Sequence, residues 1–249
     1  MVVYTYGKRK NKMNLYHASQ TKTATTFFAQ LFHYLHNEKM LINEPKSYHL
    51  NKKETFKDQL IYKLDCDYKT FQDYEKTENY KGFHIYRDPR EHLVSTYYSW
   101  KINHPGGHPK RQELNKISKK EDQLKFVIDN LYNLKTYENM ISWIDNCKDD
   151  KFWMVKFEDF FTNAEIQNNN LKKLFDHFEI TIHESLLIKI QDKFAFKKLS
   201  GGRERNEIDI NNHYRSGGSD TWKTELSDEI IEYFYKKTGN IIESLGYKI

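Results

Sequence analysis

The sequence predicts an α/β fold in three layers: a mostly parallel sheet flanked by helices. Two observations carry that expectation. Short apolar runs of strand length alternate with stretches whose apolar residues recur every three or four positions, the pattern of helices packed on a parallel sheet. In addition, two of the strand runs end in polar turns rich in chemistry-bearing side chains, and in such folds ligands sit outside the carboxyl ends of the strands.

Taken in order, residues 14–18 read as a buried strand, 19–26 as a polar turn, and Phe28, Leu31, Phe32 and Leu35 as one face of a helix. Residues 60–64 give a second strand and 82–86 a third. The third ends in Arg87-Asp88-Pro89-Arg90, where Pro89 suits the first turn of a helix faced by Leu93, Val94, Tyr97 and Tyr98. Residues 102–120, with His104, His108, Lys110 and Arg111, read as a mobile loop able to cover an acceptor. A long helix is expected next, with Leu124, Val127, Leu131, Leu134 and Ile141 on one side. Residues 152–156 form a fourth strand closed by Phe157-Glu158-Asp159. Helices follow over about 171–178 and 184–198, a polar segment runs from Gly201 to Asp220, and a last helix covers 227–245.

A length of 249 residues fits one domain, spanning the chain with residues 1–12 as a flexible basic arm. Composition excludes several classes. With 38% apolar and 15% aromatic residues the chain is not disordered, and 10 Gly and 4 Pro rule out collagen-like sequence. No run approaches the roughly 20 apolar residues of a membrane span. Two cysteines, Cys66 and Cys147, cannot build a disulfide framework or a zinc cage, so a reducing cytosol is the simplest location. The net charge of +5 is small and dispersed, which permits an anionic ligand without pointing to nucleic acid.

Three segments carry the chemistry. A helix start offers unpaired N–H groups and partial positive charge to an anion, to which Lys22, Thr25 and Thr26 add a full charge and two hydroxyls beside the small Ala24. A helix capped by Thr23 beside a solvated lysine is the plain alternative. Arg87 and Ser95, eight residues apart, can face one groove and together suit a phosphate monoester; an ion-paired helix start is the alternative. Gly217 and Gly218 free the backbone to wrap an anion near Arg215, unless the segment is only a surface loop anchored by Trp222. The P-loop pattern fails, because Tyr16 and Thr21 stand where its glycines belong, which disfavours an ATP or GTP site.

In this order and at these separations the three segments resemble the sulfotransferases that use 3′-phosphoadenosine 5′-phosphosulfate (PAPS). Residues 21–27 look like that family's Pro-Lys-Ser-Gly-Thr-Thr-Trp, Arg87-Asp88-Pro89 with Ser95 like its Arg-x-Pro and Ser, and 215–223 like its late Arg-Lys-Gly segment with Trp222 in register. Ala24 replaces a Gly, Ser216 a Lys and Phe157 a Tyr. The resemblance implies a P-loop-like turn in which Lys22, Thr23, Ala24, Thr25 and Thr26 hold the 5′-phosphosulfate. It assigns Arg87, Ser95, Arg215 and Gly217 to the 3′-phosphate and Phe27 and Phe196 to the adenine, with Phe157 and Ser216 among the nucleotide contacts. Lys22 would stabilise the leaving phosphate, PAP (3′-phosphoadenosine 5′-phosphate) would be the product, and no metal is called for. Asp65, 22 residues before Arg87, falls where the family's base lies and is the candidate catalytic base, with His49, Asp67 and His84 in reserve. Carbohydrate, lipid, small-metabolite and peptide acceptors stay open, as does oligomeric state. An ATP-dependent kinase or a non-catalytic adenine-nucleotide-binding module is the competing reading.

Overall fold

The computed structural model describes residues 12–47, 56–74, 76, 78–103, 106–132 and 135–248. Five parallel strands, β1 (Asn14–Ser19), β2 (Lys46–Ser47), β3 (Leu60–Leu64), β4 (Tyr80–Tyr86) and β5 (Phe152–Lys156), lie in the order β2-β3-β1-β4-β5. The four predicted strands are present; β2 was missed because its two residues carry no periodicity. The helices are α1 (Thr25–Asn37), α2 (Tyr68–Asp73), α3 (Pro89–Tyr98), α4 (Arg111–Lys116), α5 (Lys120–Tyr132), α6 (Thr136–Asn146) and α7 (Phe157–Phe161) in the first two thirds. The remainder are α8 (Ala164–His177), α9 (Glu184–Lys193), α10 (Phe196–Leu199), α11 (Trp222–Glu225), α12 (Asp228–Thr238) and α13 (Ile241–Ser244).

Strand alternation feeds both faces of the sheet. Leu15, Phe83 and Ile85 meet Phe28, Phe32, Leu171 and Leu174 on one side. On the other, Tyr16, Ala18 and Ile61 meet Phe71 and Trp143. A further apolar cluster joins α3 and α5 to α12 through Leu93, Val127 and Phe234. Among the described residues no helix is long and apolar enough to cross a membrane.

Several helix expectations are corrected. The long helix after residue 120 is two, since Lys135 adopts a left-handed conformation (φ 55°) ahead of α6; Leu134 lies outside the described residues. The last helix stops at Gly239 (φ 65°), a C-terminal glycine legible in the sequence but not used. The stretch 184–198 breaks between α9 and α10. Phe157-Glu158-Asp159 opens α7 rather than closing a strand. The expected loop 102–120 contains α4, and a π-helical turn, Ser99–Asn103, precedes it. Arg111 fastens the two by donating to the Trp100 and Ile102 carbonyls at 3.1 and 2.6 Å. His104 and residues 1–11 lie outside the described residues.

Candidate functional site

The expected turns come together because β1 and β4 are neighbours, with Ser19 opposite Ile85 at their carboxyl ends. After β1 the backbone alternates: Lys22 and Ala24 both take left-handed conformations, φ 64° and 62°. The Thr23 hydroxyl does not cap α1; it turns back to donate to the Gln20 carbonyl at 2.6 Å. Ala24 occupies the cap position and has no side chain to accept from the helix. The first-turn amides of this 13-residue helix therefore keep no side-chain cap, and no acidic residue stands in that turn. Such a turn is built to receive an anion.

Lys22 lies against this turn, and burial followed by the charge of Arg87 lowers its pKa to about 8. His92 of α3 supports the turn from beneath. The carbonyl of Thr21 can only accept, so His92 donates Nε2–H to it at 2.9 Å; burial, then the nearby Arg87, depresses the imidazole pKa to about 3 and keeps it neutral.

Arg87, at the end of β4, is fixed on four sides. It donates to the Lys22 carbonyl (3.2 Å), to Glu91 (3.3 Å) and to the Gly218 carbonyl (3.4 Å), and its guanidinium lies 4.1 Å over the Phe157 ring. Arg215 donates to the Thr221 hydroxyl at 2.6 Å. Arg87 Nε is buried without a hydrogen-bond partner; Arg215 Nη1 is also buried and has no hydrogen bond, but lies 3.6 Å from Glu225. Ser95, on the second turn of α3, faces the same cavity. Gly217 (φ 62°) rests on the Phe196 ring, where any Cβ would collide with the ring carbons; the Ser216 hydroxyl accepts the Gly218 amide at 3.3 Å.

A cavity of about 540 Å³ joins these groups. Lys22, Ala24, Thr25, Thr26, Phe27, Arg87, Ser95, Phe157, Phe196, Arg215, Ser216 and Gly217 all line it, while Thr23 stands behind the wall. Further residues of the wall were missed from sequence, Arg205, Gln167 and Lys63 among them. Arg205 bonds the Gly217 carbonyl (2.6 Å) and Gln167 beside the Phe196 ring, and Lys63 projects from β3. Lys63 sits at an irregularity, where Tyr16↔Ile61 and Ala18↔Leu64 place one extra residue in β3, and it takes φ 62°. A bulge of this kind re-aims a side chain; no residue-type signal in the sequence marks it. The segment 203–214 is held by Arg203, which donates to the Arg215 and Tyr214 carbonyls at 2.8 and 2.6 Å. Tyr214 in turn donates to Gln30 of α1 at 2.9 Å.

Asp65 is one residue beyond β3 and is not part of the cavity wall. It accepts a hydrogen bond from Asn139 of α6, the helix whose first residue, Thr136, does line the cavity; burial raises the carboxyl pKa. Of the reserve bases, Asp67 caps α2 through the Thr70 amide (2.8 Å), and that bond lowers its pKa. His84 is fully buried against Trp143 with Nε2 3.2 Å from Gln20, and burial drops its pKa to about 3. His49 lies outside the described residues. The cavity wall also includes Thr96, Ser99, Leu131, Thr136 and a stacked Trp100–His108 pair at 4.1 Å. Among the described residues no group of three or more His, Cys, Asp or Glu is placed to hold a metal.

A profile of the sulfotransferase domain matches residues 12–245. No curated protein matches the chain. Solved structures share its fold: a mouse sulfotransferase, SULT7A1, complexed with PAP (16% identity, TM-score 0.60, 94% of this chain and 88% of that one). Retinol dehydratase with androsterone and inactive cofactor PAP aligns at 12% identity and TM-score 0.62 over 95% and 82%. The same enzyme with retinol and PAP aligns at 13% and 0.63 over 95% and 83%.

Proposed function

The chain belongs to the sulfotransferase domain family, and from that premise we propose that it transfers a sulfuryl group from PAPS to a hydroxyl or amine of an acceptor, releasing PAP. The observation that carries this reading is the meeting of an uncapped, left-handed anion turn at Lys22–Ala24 with the buried guanidiniums of Arg87 and Arg215 in one cavity, Arg87 Nε having no hydrogen-bond partner. Two separate cationic centres suit a nucleotide phosphorylated at both its 5′ and 3′ ends.

PAPS supplies the activated sulfuryl group. Lys22, Thr25, Thr26 and the open amides of α1, shaped by Thr23 and Ala24, hold its 5′ end. Lys22 offsets the charge that grows on the leaving phosphate; a preorganised donor of this type contributes about 3–4 kcal/mol to the transition state. Arg87, Ser95, Arg215, Ser216 and Gly217 take the 3′-phosphate, Phe27 and Phe196 flank the adenine, and Phe157 braces Arg87. Asp65 is the base of this reading: it takes the acceptor proton as the oxygen or nitrogen attacks sulfur, its raised pKa bringing it nearer neutrality. Lys63, on the cavity wall with the phosphate turn, steadies the transferring oxygens.

The acceptor occupies the part of the cavity walled by Thr96, Ser99, Trp100, His108, Leu131 and Thr136. The alcohols bound by the retinol dehydratase structures support a small hydroxylated molecule as its class. With Cys66 and Cys147 both free and buried, a reducing cytosol is the compartment we assign. Calorimetric titration with PAP, and separately with ATP and magnesium, tests the reading. Tight PAP binding with weak ATP binding is expected; the reverse preference would replace sulfuryl transfer with phosphoryl transfer.

A further inference from the structure

Glu91 takes no part in the transfer, yet it touches both arginines of the phosphate end. It is fully buried on α3, one turn beyond Arg87. Its Oε2 lies 3.3 Å from Arg87 Nη2 and 3.9 Å from Arg215 Nη2. The Thr221 hydroxyl lies 2.8 and 3.0 Å from its two oxygens, and the Trp222 amide donates to Oε1 at 2.8 Å. Thr221 Oγ in turn accepts from Arg215 at 2.6 Å, so carboxylate, hydroxyl and both guanidiniums form one connected network.

A carboxylate is a poor choice beside a phosphate if charge alone matters. Arg87 and Arg215 alone would present +2; Glu91 takes one of those charges away, Glu225 at 3.6 Å from Arg215 Nη1 takes another, and a buried anion repels an incoming one. What the carboxylate supplies is geometry. The two guanidiniums repel each other, and burial with that repulsion lowers the Arg215 pKa. Glu91 allows them to share one buried site, ties the 215–222 segment to α3, and occupies Arg87 Nη2 while Arg87 Nε stays without a hydrogen-bond partner and Arg215 Nη1 faces only Glu225 at 3.6 Å. Planar, forked recognition of phosphate depends on such fixed orientation.

We propose that Glu91 is a positioning residue that sets Arg87 and Arg215 for a phosphate monoester and thereby makes the site select a 3′-phosphorylated nucleotide over one that lacks that group. The inference rests on the nucleotide reading given above.

The experiment compares PAP with 5′-AMP by calorimetry on the wild-type chain and on Glu91→Gln, with circular dichroism melts to confirm folding. Charge alone predicts tighter PAP binding by E91Q, because a repelling anion is gone. Positioning predicts the opposite: a loss of about 10–100-fold for PAP, the range that partners orienting a ligand-binding group commonly carry, with AMP changed far less. Thr221→Ala keeps the carboxylate but removes its bridge to Arg215; it should lower the PAP-to-AMP ratio in the same direction and decides the matter if E91Q does not fold. Tighter PAP binding, an unchanged ratio, or equal losses for both nucleotides would overturn the proposal. A wild-type chain that binds PAP no better than AMP would instead reject the nucleotide reading itself.

Discussion

Lys22 meets the anion turn as a lysine that gives up its proton more readily than usual. Its pKa of about 8 in the ligand-free site, set first by burial and then by Arg87, must rise when a phosphate arrives beside it. Above pH 8 binding therefore takes up a proton, and PAP affinity should fall by up to about tenfold per pH unit while remaining flat below pH 7. Titrations in two buffers of different ionisation enthalpy would read that proton directly; a flat profile from pH 7 to 9.5 would remove Lys22 from the anion. Lys22, Arg87 and Arg215 were legible in the sequence because each adjoins a strand end or a glycine pair. Arg205, Gln167 and Lys63 were not. The first two reach the cavity from the 203–214 segment and a helix far along the chain, and Lys63 depends on one extra residue in a strand, which no local pattern announces.

At the scale of elements, α1 begins under strain. Ala24 holds φ 62°, a conformation costing an L-residue about 1–2 kcal/mol, part of which glycine would return as lost chain entropy. Ala24→Gly should thus stabilise the chain by about 0.5–1 kcal/mol and leave PAP affinity equal or better. Urea midpoints for the two proteins decide this, and a destabilised variant would contradict it. Strands and the faces of most helices were readable from periodicity, since burial enforces it. Helix ends were not: α5 and α6 part at Lys135, a residue with no reputation as a breaker, and α9 and α10 part at Ala195, where apolar spacing continues across the break. Within the segment 102–120, expected to be loop, residues 111–116 form α4 because Leu114 is fully buried and Arg111 is bonded to the preceding turn.

Across the whole molecule, the face opposite α1 is tied to the site by one indole. Trp143 of α6 is fully buried, stacks on His84, and donates to the Cys66 carbonyl at 2.7 Å, just after Asp65. Trp143→Phe leaves that carbonyl unpaired and a void beside it, and should cost about 2–3 kcal/mol in urea unfolding. A loss below about 0.5 kcal/mol would show that the neighbouring rings close the gap.

The bond from Tyr214, which lines the cavity, to Gln30 of α1 joins residues 184 positions apart. A neutral hydrogen bond of this kind is worth about 1 kcal/mol net, a factor of about five in an equilibrium. Tyr214→Phe should therefore quicken PAP departure about fivefold in a stopped-flow displacement, with the arrival rate little changed; an unaltered departure rate would detach the bond from the event. Where escape of spent nucleotide limits the cycle, one phenol acts as its timekeeper: loosening it would trade dwell time for throughput.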